Sequence, residues 1–136
     1  MTNTGTYIAS RASLPERSAA WRRLRDVDGW KITSTWIDEA GAGQSNDIGS
    51  LWVRIESEIA GSERLILYVE PGDFPLKGAL IEVGIAIAHL IPIRVVAPGV
   101  QIDPVSFRPL GSWVCHPLAK FADTMDEALS GTTVSM

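Results

Sequence analysis

The chain has 136 residues, 46% of them hydrophobic and 21% charged, with a formal net charge of −4. That size and balance suit one domain with a substantial core. They argue against a protein built to grip a nucleic-acid polymer, which needs a surplus of Lys and Arg. No apolar run reaches the roughly 20 residues of a membrane span. A single cysteine, Cys115, excludes an internal disulfide framework, and with only His89 and His116 beside it a His/Cys metal cluster is not expected. Met1–Thr6 lacks a basic stretch followed by an apolar one, so the expectation is a cytoplasmic protein without a signal peptide.

In chain order, Thr6–Ser10 reads as a first strand. Leu14–Asp26 reads as a helix, with Pro15 and Glu16 in its first turn and Arg22, Arg23 and Arg25 towards its end. Trp30–Trp36 reads as a second strand and Ile37–Gln44 as a loop. Over Ile48–Ala60 the residues Leu51, Ile55 and Ile59 recur at steps of four, which is helical spacing, with Trp52 alongside. Arg64–Val69 is a near-continuous apolar strand of the kind buried on both faces of a parallel sheet. Glu70–Pro75 breaks the chain, and Lys77–Leu90 is a helix that is apolar nearly all round. Ile93–Val96 is a fourth strand, a last one falls within Ser112–Val114 or His116–Phe121, and Thr124 caps a short helix to Leu129. Ser130–Met136 reads as a frayed tail. Alternation of this kind predicts an α/β, flavodoxin- or Rossmann-like three-layer sandwich with a small, mainly parallel five-stranded sheet. Ligands then bind beyond the carboxyl ends of the strands, at Ser10–Leu14, Trp36–Gln44 and Glu70–Lys77.

Glu82 is the first candidate for chemistry. A carboxylate among Ala79, Leu80, Ile81, Val83, Ile85 and Ile87 is costly without a partner or a task. Burial would raise its pKa and the helix N-terminus would lower it; a purely structural capping or pairing role stays open. Ser10-Arg11-Ala12-Ser13, just before a helix, offers hydroxyls, a guanidinium and free backbone N–H groups to an anion, or simply an N-cap. Trp36 is placed to stack on a flat ligand or to fill the core. Asp38, Glu39 and Asp73 are acids on the same loops, able to meet a sugar hydroxyl or a base edge.

Several stretches together resemble the nucleoside 2-deoxyribosyltransferase-like superfamily, which includes 2′-deoxynucleoside 5′-monophosphate N-glycosidases. They are Tyr7-Ile-Ala-Ser-Arg11 with Arg17 behind it, Ile32–Asp38, Ser62–Tyr68, Lys77–Ala86, Ile93–Val96 and Lys120–Leu129. The resemblance implies cleavage or transfer at the N-glycosidic bond of a (2′-deoxy)nucleoside or its 5′-monophosphate, with Glu82 as nucleophile or oxocarbenium stabiliser. Ser10 and Arg11, with Arg17, would hold the 5′ end. Trp36 would flank the base, with Asp38, Asp73 and Gly78 completing the site. It further implies a homodimer or higher homo-oligomer and a small-molecule ligand, with no cofactor or metal. One position departs from the family pattern: Ile55 stands where the family usually carries an aspartate, and a shift of one residue turns a helix side chain by about 100°, so either Glu56 reaches in, another acid such as Asp38 or Asp73 acts, or the family reaction is not catalysed. A non-catalytic nucleotide-binding module, sensing or sequestering its ligand, is the rival expectation.

Overall fold

The computed structural model describes residues 5–39 and 47–130. Strands β1 (Thr6–Ala9), β2 (Arg64–Tyr68), β3 (Ile93–Val96) and β4 (Ala119–Phe121) form one parallel sheet in the order β1-β2-β3-β4. Helices α1 (Pro15–Asp26), α2 (Ile48–Ala60), α3 (Gly78–Ala88) and α4 (Met125–Ser130) are interleaved with them. Successive residues of β1 and β2, whose side chains point to opposite faces, are alike fully buried: Tyr7, Ile8 and Ala9, then Leu65, Ile66 and Leu67. Both faces of the sheet are therefore covered, which is why β2 reads as a continuous apolar run rather than an alternating one.

The termini of the helices follow the sequence signals closely. Pro15 occupies the first turn of α1, where its missing N–H costs nothing. Asp47 accepts the Ser50 amide at 3.0 Å at the start of α2, and Thr124 Oγ1 accepts the Glu127 amide at 3.2 Å at the start of α4. The last strand is Ala119–Phe121, whereas Ser112–Cys115 is a 3-10 turn. The expected loop over Ile37–Gln44 and the tail are only partly covered, since 40–46 and 131–136 lie outside the described residues.

The expected second strand does not form. Trp30–Trp36 touches the sheet at one parallel bridge, Thr6 to Ile32, where Thr6 N donates to Lys31 O at 2.9 Å and Thr33 N to Thr6 O at 2.8 Å. Among the described residues the sheet thus has four strands, not five. Further along, side chains replace the backbone ladder: Ile8 N donates to Ser34 Oγ at 3.1 Å, and Trp36 Nε1 donates to Ile8 O at 2.8 Å. The edge of β1 is thereby satisfied without an extended partner. The chain is free to coil into a 3-10 turn over Thr35–Asp38, held by the Glu58 carboxylate on the Thr35 amide (3.1 Å) and hydroxyl.

Gly5 makes the close approach at the bridge possible. Its φ is +89°, and a Cβ there would lie 2.8 Å from Lys31 Cγ and 2.9 Å from Lys31 O. Backbone cannot retreat as a side chain tip can, and an L-residue is strained at that φ. Gly5→Ala is expected to cost about 2–4 kcal/mol, read as a lowered urea midpoint with unchanged slope. A loss below about 0.5 kcal/mol would mean that residues 31–33 do not pack against β1 as described.

Candidate functional site

Beyond the carboxyl ends of β1 and β2 lies a cavity of about 560 Å³, within the usual range for small-molecule sites. The loop after β1, the 3-10 turn carrying Trp36, α2, the loop after β2 and the start of α3 all contribute to its wall. The described parts of the three nominated loops, which for the second is 36–39, thus border one space, as the topological rule for parallel sheets expects.

Glu82 lines the cavity from the second turn of α3 and is 8% exposed. Its Oε2 accepts a hydrogen bond of 3.1 Å from the hydroxyl of Tyr7, itself fully buried on β1. Burial pushes the Glu82 carboxyl up to about 7, against the hydrogen bond from Tyr7, which pulls it down. Of the two opposed effects, desolvation wins. The Tyr7 phenol is raised in turn, by its own burial and by the neighbouring carboxylate.

Six of the eight site residues expected from the sequence line this cavity: Ser10, Arg11, Trp36, Asp73, Gly78 and Glu82. Arg17 stands just behind the wall. Its Nη1 donates to Asp73 Oδ2 at 2.8 Å and to Ser10 Oγ at 3.2 Å, its Nη2 lies 3.2 Å from Glu70 Oε1, and its guanidinium covers the Tyr68 ring at 5.0 Å. Asp73 Oδ2 also accepts the Glu70 amide at 2.8 Å, closing a reciprocal cap over the turn Pro71–Asp73. Arg17 therefore positions Ser10 and the loop that carries Asp73. Asp38 does not line the cavity. It is paired with Arg25, both contacts at 2.9 Å, and Arg22 Nη1 donates to Ile37 O at 2.7 Å. Much of the arginine run on α1 thus holds the 3-10 turn in place instead of offering charge to a ligand.

Two cations remain exposed on the cavity wall, Arg11 and Lys77. Arg11 is steered by Ser13 Oγ at 3.0 Å and by Gly72 O at 3.1 Å. The arrangement suits an anionic group beside these two side chains. The wall also carries aromatic and aliphatic side chains: Trp36, Trp52, Phe74, Leu51, Ile55 and Leu76. Trp36 is only 7% exposed and pinned by its bond to Ile8 O, so it forms a fixed wall. Trp52 is half-buried and its ring lies over Gly78, 3.6 Å from where a Cβ would stand, which makes it the more accessible aromatic face.

Sequence reasoning missed Tyr7, Trp52 and Lys77 as site residues. Tyr7 sits in a strand whose burial alone explains an aromatic residue; its contact with Glu82 spans 75 positions and has no local signal. Ile55 forms part of the wall, and neither nearby acid replaces it. Glu56 is largely exposed, 3.9 Å from His89, and Glu58 caps Thr35. Among the described residues no group of three or more His, Cys, Asp and Glu is arranged to hold a metal ion, and no helix is long and apolar enough to cross a membrane. Comparison of the chain with protein-family models, curated proteins and solved structures returns no match.

Proposed function

We propose that the chain cleaves, or transfers at, the N-glycosidic bond of a (2′-deoxy)nucleoside or its 5′-monophosphate, with Glu82 acting at the anomeric carbon. The observation that carries this reading is a buried carboxyl, steered by Tyr7, at the wall of a cavity that also presents aromatic side chains and exposed cations. Breaking a glycosidic bond builds positive charge on the sugar, and a desolvated carboxylate stabilises or captures that charge more strongly than a hydrated one. Trp36 and Trp52 offer faces for a base, and Arg11, Lys77, Ser10 and Ser13 offer a seat for a 5′-phosphate.

The test is release of free base from a panel of nucleosides and 5′-monophosphates, spanning neutral and positively charged bases, with and without an acceptor base. Loss of release in Glu82→Ala supports the role; absence of release from every member by folded protein overturns it. A second reading, a non-catalytic nucleotide-binding module, is favoured by Ile55, an apolar side chain in the cavity wall. Saturable binding of the same compounds, read from tryptophan fluorescence, without release of any base would select it.

The outer stripe of α3, Ile81, Gly84 and Ala88, carries no charge and is exposed. It supports self-association through a second copy of this helix. Ile81→Glu is expected to shift the protein towards a smaller species in sedimentation velocity; an unchanged species would remove α3 from the interface.

A further inference from the structure

We propose that the substrates turned over are nucleosides or nucleotides whose base already carries a positive charge, such as N-alkylated purines and pyridinium ribosides. The inference rests on the glycosidic reading above and narrows its substrate class. Cleavage of a neutral N-glycoside sets two tasks: an anion at the anomeric carbon and a proton for the departing base. Glycosidases divide these between two carboxyl groups. The cavity wall holds three acids, Glu39, Asp73 and Glu82. Asp73 is occupied by Arg17 and the Glu70 amide, and Glu39 Oε2 lies 2.9 Å from Arg54 Nη2. An ion-paired carboxylate accepts hydrogen bonds and has no proton to give. Glu82 alone is bound to no cation among the described residues, and one carboxyl cannot serve as anion and acid in the same step. Residues 1–4, 40–46 and 131–136 contain no Glu and no Asp, so those segments add no carboxylic side chain to the three. Ile55 fills part of the remaining wall, buried at 4% exposure.

A cationic base removes the second task. As the C1′–N bond breaks, its electron pair passes to the ring nitrogen, cancels the positive charge and releases a neutral base. A Glu82 oxygen bonds to C1′. Water then bonds to C1′, Glu82 leaves with the electron pair of its ester bond, and the proton of the water goes to solvent. No general acid takes part. The aromatic faces of Trp36 and Trp52 favour a positively charged ring, and ionised Glu82, which no cation of the described residues neutralises, favours it again.

The test compares 7-methylguanosine 5′-monophosphate with guanosine 5′-monophosphate, and nicotinamide mononucleotide as a pyridinium arm, each as acceleration over its own spontaneous hydrolysis. A missing general acid forfeits about 10²–10⁴ in rate for neutral bases. The charged substrates are therefore expected to be accelerated at least about 100-fold more than the neutral one. Ile55→Asp supplies the missing acid and is expected to narrow that ratio by about tenfold or more; the wild-type comparison stands even where this variant fails to fold. Acceleration of one charged arm alone places the substrate among the N-alkylated purines or among the pyridinium ribosides. Equal acceleration of charged and neutral bases overturns the inference and leaves the glycosidic reading intact. Acceleration of none overturns both.

Discussion

Glu82→Gln is expected to abolish base release, by about 10³-fold or more, while making the protein more stable above pH 7. The two effects share one cause. A carboxyl displaced from its ordinary 4.5 to about 7 by burial binds its proton more tightly in the folded protein than in the unfolded chain. As pH rises from about 4.5 to 7 the unfolded chain releases that proton first, so stability falls across this window and stays low above it. The size of the displacement corresponds to roughly 3 kcal/mol at pH 8. The amide of the variant would keep an acceptor for Tyr7 and carry no charge, so its urea midpoint at pH 8 is expected to rise and to converge with wild type near pH 4. The rate of base release in wild type is expected to rise with pH and level off above about 7, as Glu82 ionises. Tyr7→Phe removes the hydrogen bond that lowers the Glu82 pKa, so its limb should move to higher pH. A profile flat between pH 5 and 8, with no gain of stability in Glu82→Gln, would show that the carboxyl is not desolvated in the folded protein.

Arg17→Met is expected to cost about 3–5 kcal/mol, a large share of the stability of a domain of this size. The side chains of Arg17 and Asp73 are 7% and 3% exposed and meet at 2.8 Å. Removing the guanidinium leaves Asp73 buried without its counter-charge and releases Ser10 and Glu70 from the same centre. Asp73→Asn should cost less, because it removes a charge but keeps acceptors for Arg17 and the Glu70 amide. Replacing both residues by apolar ones of similar size should recover much of the loss, since the pair must first overcome its own desolvation. Denaturation midpoints of the single and double variants measure this directly. A single-variant loss under about 1 kcal/mol would mean that the pair is solvated and that the 71–77 loop is held by other contacts.

Elements with local signals are legible in the amino-acid order. Helix α2 can be read to the residue, because its apolar positions recur at helical spacing and burying them is what stabilises the helix. Strand β3 and the caps at Pro15 and Thr124 are legible for the same kind of reason. Glu82 stands out because a charge amid aliphatic neighbours violates the ordinary pattern. The remaining features depend on tertiary contacts. Trp30–Trp36 has the composition of a strand, yet Ser34 and Trp36 bond to Ile8 with side chains, and composition does not distinguish a side-chain partner from a backbone one. The arginines of α1 look like charge available to a ligand, and the fold commits Arg17, Arg22 and Arg25 to Asp73, Ile37 and Asp38. Which carboxyl at the cavity is left without a cation, and that Tyr7 reaches it, depends on contacts between residues tens of positions apart. Those contacts exist only once the sheet has brought β1, β2 and α3 together.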